Sequence, residues 1–160
     1  MTTKRVHYRE GDWFAVPLRS GGYGVGRIAR AKPKSPILFG YFWGPRFEHV
    51  PPLAVVEGFH GQESVLVTRF GDLGIINGTW PLIGSAILSR EEWLLPDFIR
   101  SHPLNGKSLV ITYNPDNLTN EVVSRPASDA EIEMLPWDAI SGFGAVEIRL
   151  TKLLSDQQPG

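Results

Sequence analysis

Histidines and serines with catalytic or metal-binding spacing would be the first sign of chemistry in this sequence. The four histidines, His7, His49, His60 and His102, lie at least 11 positions apart. A local zinc motif places two ligands about four residues apart on one helix, so none is predicted. Ser85 lacks the following glycine that a nucleophile elbow requires. The sequence therefore predicts no catalytic residue, no metal site and no cofactor.

An enzyme built from distant residues would have to bring His60, Asp72 or Glu57 together in the fold. Residues 22–26 contain three glycines at alternate positions, as some phosphate-binding loops do. Such a loop needs a helix directly after it, whereas residues 27–30 continue a strand pattern. We therefore interpret these glycines as structural and predict that the protein is not an enzyme.

Charged segments could contact a partner. Residues 27–34 hold a basic cluster near two tyrosines, and such a cluster can bind single-stranded nucleic acid. The formal net charge of −1 gives no general attraction to nucleic acid, which is therefore not a favoured partner. An acidic surface would instead speed the capture of a basic protein. The candidate protein-binding residues are Asp116, Glu121, Asp129, Glu131 and Glu133.

Five tryptophans are many for 160 residues. Each lies beside an apolar run, so packing in the core is the simpler interpretation. Tryptophan is also enriched at binding hot spots, and one or two could line an exposed surface for a protein or peptide. The sequence leaves both interpretations open for Trp13, Trp43, Trp80, Trp93 and Trp137.

The composition is that of a globular protein with one core. Of its residues 42% are apolar, and 17 glycines and 13 prolines favour short elements joined by turns. The chain has no cysteine, which fits a reducing compartment. It has neither a run of about 18 apolar residues nor the apolar segment of a signal peptide. We expect a cytoplasmic protein that makes no contact with a membrane.

Strand patterns dominate the chain. Residues 13–18 and 23–28 flank a pair of glycines and predict a β-hairpin. Residues 108–124 predict a second hairpin, and Asn77-Gly78 has the composition of a third hairpin turn. The other predicted strands are residues 37–43, 53–56, 65–70 and 80–88.

Three segments predict short helices. Residues 89–92 and 128–131 both have the spacing of a capping box. Residues 145–154 fit a strand or a helix, and an early glutamate with a late lysine favours the helix. The predicted helices are residues 89–95, 128–135 and 144–154.

Together these elements predict an α+β domain that is mainly β. We expect a strongly curved antiparallel sheet, open or barrel-like, with a few short helices, one of them near the C-terminus. One domain should span residues 1–160, with residues 1–7 and 155–160 flexible. The predicted core consists of Trp13, Phe14, Val16, Val25, Ile28, Leu38, Phe42, Val67, Ile76, Trp80, Leu109, Ile111 and Val123.

The opening hairpin resembles the start of immunity protein family 26, small and mostly-β proteins of bacterial polymorphic toxin systems. In that family a G-D-x-F-A-I-P-L strand precedes a glycine turn and a Y-x-x-G-R-I/V strand. The corresponding residues here are 11–18, GDWFAVPL, and 23–28, YGVGRI. Residues 39–43, 79–84 and 144–154 are also similar to later parts of the family.

This resemblance implies a protein that binds a cognate toxin made by the same cell and blocks it by occluding the toxin's active site. It implies no catalytic residue. The alternative hypothesis is a small barrel-type module that binds nucleic acid or a peptide through residues 27–34. The sequence indicates neither the toxin's activity nor the oligomeric state.

Overall fold

The computed structural model describes residues 5–155. Within that range the chain forms nine strands in two sheets and four α-helices. The strands are β1 (Trp13–Pro17), β2 (Tyr23–Arg30), β3 (Ile37–Phe47), β4 (Leu66–Gly71), β5 (Leu82–Gly84), β6 (Phe98–Ser101), β7 (Ser108–Asn114), β8 (Asn117–Pro126) and β9 (Ile140–Ser141). The helices are α1 (Leu53–Val56), α2 (Leu73–Ile76), α3 (Asp129–Met134) and α4 (Phe143–Ser155), with a 3₁₀ turn at Gly61–Glu63.

The larger sheet has six strands in the order β5-β1-β2-β3-β4-β9. It is mixed, because β9 pairs with β4 in parallel while the other pairs are antiparallel. The smaller sheet is antiparallel, in the order β6-β7-β8. The structure thus confirms an α+β protein that is mainly β.

The predicted opening hairpin is present. Trp13 pairs with Arg27 and Pro17 with Tyr23, and the reversal is made by Gly21 and Gly22 at φ of 96° and 74°. Residues with a Cβ rarely adopt such positive φ, so the two glycines are required there. The turn therefore fixes the register of β1 against β2.

Alternation along these strands sends apolar side chains to both faces of the large sheet. One face, which includes Phe14, Phe42 and Trp80, packs against Val146 and Leu150 of α4. Stacked rings hold this layer together, with the centroids of Phe14 and Trp80 5.6 Å apart at an interplanar angle of 9°. The last helix is therefore a structural part of the core.

The other face packs against the small sheet. Trp13 lies 5.2 Å from Trp43 and 6.0 Å from Trp93, measured between ring centroids. Phe98 and Ile111, from β6 and β7, belong to the same buried cluster. Because both faces are covered, β3 is buried on both sides near its centre, as its apolar sequence predicted.

Most of the predicted core is confirmed. Val67, Ile76 and Leu109 are only partly buried. Val123 is exposed, so its prediction as a core residue was wrong. Residues 119–126 of β8 are exposed because this strand forms the edge of the small sheet and extends past the covered surface. The alternating sequence shows which residues share a face but not how far the face is covered.

The predicted strongly curved or barrel-like sheet is not formed. In the described part of the chain neither sheet closes or curls strongly, and β5 and β9 lie at the two edges of the larger one. The physical reason is that β6 to β8 do not extend the first sheet. They make a second layer that buries the other face of the first sheet.

One predicted strand and one predicted hairpin turn are replaced by helices. Residues 53–56 form α1, which begins directly after Pro52, and Val56 is its buried residue. Residues 73–76 form α2, so Asn77-Gly78 ends a helix and does not turn a hairpin. Gly78 has φ of 81°, and the same positive φ suits either a hairpin turn or the residue after a helix. This ambiguity explains the wrong prediction.

Of two further predicted elements, the strand is shorter than predicted and the helix is not formed. Only residues 82–84 of the predicted strand 80–88 form a strand. Residues 89–95 contain a single turn, in which the carbonyl of Ser89 accepts from Trp93, and no helix follows. The Arg30 guanidinium binds the carbonyls of Arg90 and Trp93, which a longer helix would need for its own amides.

Both C-terminal helices are confirmed. α3 starts at the predicted capping box of Ser128 and Glu131, and α4 spans the segment that fitted either structure. None of the helices between residues 5 and 155 combines the length and apolar character needed to cross a membrane. Of the ends expected to be flexible, residues 1–4 and 156–160 lie outside the described residues.

Candidate functional site

The predicted acidic residues do not form one compact patch. Asp116 lies in the turn before β8, whereas Asp129 follows after β8 has ended. A strand of this length extends about 30 Å, so the two ends of the acidic segment are far apart. The structure therefore separates Asp116 from the acidic residues of α3.

Three of the five carboxylates are bound within the protein. Oδ1 of Asp116 lies 2.8 Å from Nη1 of Arg90. Glu121 binds Arg100, and Glu131 binds Arg125. Asp129 and Glu133 are exposed, and neither takes part in an ion pair among residues 5–155. These two are the carboxylates with unneutralised charge.

Glu131 stabilises the start of α3. Its carboxylate accepts two hydrogen bonds from Arg125, at 3.0 and 2.5 Å, and one from the Ser128 amide at 3.0 Å. These bonds favour the charged form and hold the pKa of Glu131 at about 2. Because the pKa is depressed, the stabilisation is present above the ordinary value near 4.5 and is lost as the pH falls through about 2.

Arg125→Gln should raise the pKa of Glu131 towards its ordinary value, because the strongest bonds to the carboxylate are removed. A carboxyl titration followed by NMR measures this pKa directly. Lys107→Gln, which also removes one exposed positive charge, should leave it unchanged. An unchanged pKa in Arg125→Gln would show that the capping bonds alone hold the carboxylate.

A buried polar network lies under the segment that follows α3. The side chain of Asp138 is 5% exposed, and its Oδ1 lies 2.7 Å from Nη2 of Arg69. Oδ2 accepts from Nε of Arg100 at 2.8 Å, and the Tyr113 hydroxyl lies 2.8 Å from both oxygens. The Arg69 guanidinium also stacks 3.9 Å above the Tyr113 ring. Asp138 thus joins groups from β4, β6 and β7.

Backbone bonds fix the same segment, residues 136–141, to both sheets. The amide of Asp138 donates to the carbonyl of Ile99 in β6 at 2.8 Å, and the amide of Ile99 donates to Pro136. Two residues later Ile140 pairs with Arg69 of β4. The segment therefore runs along an edge of each sheet, with Asp138 pointing into the protein.

Large apolar side chains are exposed along this fixed segment and at the end of α3 just before it. Met134 is 82% exposed, Trp137 is 55% exposed and Ile140 is 48% exposed. We call these three residues the Trp137 surface. The other four tryptophans are buried, which confirms the core interpretation for them, and Trp137 alone of the five is exposed. A fixed, exposed tryptophan is typical of a protein-binding surface.

Sequence reasoning did not single out Asp138, which is one acid among many in the chain. A signal for the Trp137 surface was present, because apolar residues recur at every third position from the end of a short helix, at Met134, Trp137 and Ile140. That spacing also fits a buried helical face. Only the structure shows that the helix stops at Met134 and that the three side chains remain uncovered.

A concave surface of about 730 Å³ borders the buried cluster of aromatic side chains, since Trp93 belongs to both. Its lining residues include Tyr41, His60, Trp93 and Leu94. Nε1 of Trp43 donates to the His60 carbonyl at 2.7 Å, and the Tyr41 hydroxyl donates to the Leu94 carbonyl. We call it the Tyr41 groove.

The basic cluster of residues 27–34 is not presented to solvent as a unit. Arg27 and Arg30 are buried and donate to backbone carbonyls, including those of Gly11 and Trp93. The Arg27 guanidinium also lies 4.8 Å from the Trp13 ring centroid. Only the lysines of the cluster are exposed, which removes most of the support for a nucleic-acid-binding surface there.

The three residues of the hypothetical enzyme site are not assembled. Asp72 is buried and accepts from the Tyr8 hydroxyl at 2.6 Å, and burial raises the pKa of Tyr8. His60 and Glu57 are exposed, and no described hydrogen bond joins any two of the three. Among residues 5–155, no group of three or more His, Cys, Asp or Glu side chains could hold a metal ion.

Comparison with protein families identifies one match. The model of the family described as Immunity protein 26 matches residues 9–109, more than half of the chain. No curated protein and no solved structure shows a significant match. The matched residues include the opening hairpin and all but β9 of the larger sheet. Segment 136–141 and the Trp137 surface lie outside the match.

Proposed function

The chain belongs to the immunity protein 26 family, and on this basis we propose that it binds a cognate toxin and neutralises it by covering the toxin's active site. Membership implies an immunity protein of a polymorphic toxin system. Immunity proteins are typically non-enzymatic, which agrees with the prediction made from the sequence. The family match over residues 9–109 is the single observation that carries this proposal.

We propose that the whole chain acts as one domain in the cytoplasm of the producing cell, where occlusion needs only a tight one-to-one complex. Tight binding is required because a small amount of free toxin would harm the producer. Affinities of protein inhibitors reach the nanomolar range and beyond. The test is co-purification with the toxin domain encoded by the nearest neighbouring gene, followed by calorimetry and a toxin activity assay. Absence of binding and of neutralisation would contradict the proposal.

The acidic residues Asp116, Glu121, Asp129, Glu131 and Glu133 are the proposed contacts for a basic toxin. Within this set the ion pairs of the structure suggest unequal roles. A carboxylate already bound to arginine presents little net charge, so Asp116, Glu121 and Glu131 should contribute less. Asp129 and Glu133 are four residues apart on α3 and therefore lie on one face of the helix. We propose that these two attract the toxin.

Replacing Asp129 and Glu133 together by lysine should slow association with the toxin about tenfold at low salt and flatten its salt dependence, because charge complementarity mainly sets the association rate. Stopped-flow measurements over a range of salt concentrations test this. The matched control replaces the exposed Glu48 and Glu57 by lysine, which makes the same change in net charge elsewhere. Equal slowing in both variants would mean that only net charge matters.

A further inference from the structure

We propose that the Trp137 surface is the apolar anchor of the toxin interface and inserts into an apolar recess bordered by basic side chains. The inference rests on the proposed function and adds the position and chemistry of the contact. It goes beyond the acidic residues, which would guide the partner but supply little apolar contact area.

The first argument is the clustering of exposed apolar groups. Single exposed apolar side chains are common on protein surfaces and need no explanation. Here a tryptophan, a methionine and an isoleucine are exposed within seven residues. Tryptophan is among the residues most enriched at hot spots, and methionine is enriched at interfaces. The combination is typical of a binding surface.

The second argument is that the surface is fixed before any partner binds. The Asp138 side chain is held by Arg69, Arg100 and Tyr113 beneath the segment. Backbone bonds to β6 and pairing with β4 hold the chain on either side of it. A side chain presented from a fixed backbone loses less conformational entropy on binding. The network is thus expected to contribute to affinity without touching the toxin.

The third argument is charge, and it identifies the occupant. Asp129 and Glu133 lie on α3, the helix that ends at Met134, and have no ion-pair partner within the described residues, so a basic surface is complementary to this part of the molecule. A second copy of this chain would bring the same carboxylates together, since a symmetric contact pairs a patch with itself. Charge therefore favours a basic protein over self-association.

The experiment uses the full chain and the toxin domain from the neighbouring gene. Trp137→Ala should weaken binding at least about 30-fold, the loss typical of a hot-spot residue. Most of the change should lie in the dissociation rate. The control is Leu104→Ala, because Leu104 is 91% exposed but lies in the loop between β6 and β7 and is not part of the Trp137 surface, and it should change the dissociation constant less than twofold.

A second variant protects the test from a folding defect. Met134 is the most exposed of the three residues, so Met134→Lys should leave the fold intact and weaken binding at least about tenfold through repulsion of basic side chains and lost apolar contact. Leu104→Lys is its matched control. Far-ultraviolet circular dichroism and thermal unfolding establish that each variant is folded.

The outcomes separate this inference from the function on which it rests. Wild-type binding with unchanged affinity in both Trp137→Ala and Met134→Lys would overturn the anchor and leave the immunity function standing. Loss of binding in Leu94→Ala, with none in Trp137→Ala, would assign the contact to the Tyr41 groove and also overturn it. Failure of the wild-type chain to bind or neutralise the toxin would overturn both proposals.

Discussion

Asp138→Ala is expected to lower the free energy of unfolding by about 3–5 kcal/mol, the usual cost of removing one partner from a buried ion pair. The Arg69 side chain is 6% exposed and would keep its positive charge without a carboxylate. The Tyr113 hydroxyl would lose its acceptor as well. The loss of stability would be large because this one carboxylate binds side chains from three strands, β4, β6 and β7.

Urea or guanidinium unfolding of the full chain measures this change. Glu133→Gln, which neutralises an exposed carboxylate without an ion pair in the described structure, should change stability by less than about 0.5 kcal/mol. Combining Asp138→Ala with Arg69→Met should restore part of the lost stability, since the unpaired buried charge is then gone. Strictly additive losses in that double variant would contradict a direct interaction of the two side chains.

Trp80→Ala is expected to cost about 3–5 kcal/mol, the range observed when a buried aromatic is truncated. The indole stacks on Phe14, and its Nε1 donates to Oε2 of Glu147 at 2.8 Å in α4. Glu147 is buried and has a second partner in Arg19, whose Nε lies 3.1 Å from Oε1. Truncation would open a cavity and leave one buried carboxylate oxygen without a donor.

Trp80→Phe largely separates the two contributions, because it keeps an aromatic ring at the position and removes the donor. Its cost should be about 1–3 kcal/mol, the penalty for an unsatisfied buried acceptor. Chemical unfolding of both variants gives the values. An equal loss in Trp80→Phe and Trp80→Ala would assign the whole effect to the hydrogen bond with Glu147.

Local patterns predicted the elements whose partners are close in sequence. The opening hairpin, the hairpin from Ser108 to Pro126 and the helix after Ser128 depend on turn residues and capping side chains within a few residues. The hairpin turn predicted at Asn77-Gly78 was wrong because a positive φ occurs both in hairpin turns and after helix ends. The division into two layers was not predictable, since no local pattern shows that β6 to β8 leave the first sheet.

The candidate site was predictable only in part. Charge clustering pointed to the acidic segment, but the sequence did not show that Arg90, Arg100 and Arg125 neutralise three of its carboxylates. These pairs span from 6 to 26 residues, and they depend on how strands, loops and α3 meet in the fold. Trp137 was one of five equal candidates until burial separated it from the other four.

The position of α4 has a consequence for synthesis of the protein. The buried residues that pack against α4 have all been synthesised once Trp80 is added to the chain, whereas α4 begins at Phe143, about 60 residues later. At a translation rate of roughly 5–20 residues per second, the ribosome needs several seconds to synthesise the residues between Trp80 and Phe143. Throughout that time the aromatic face that α4 later covers is exposed on the nascent chain. Such a face is prone to aggregate, so the yield of native protein should depend on chaperones that shield emerging chains.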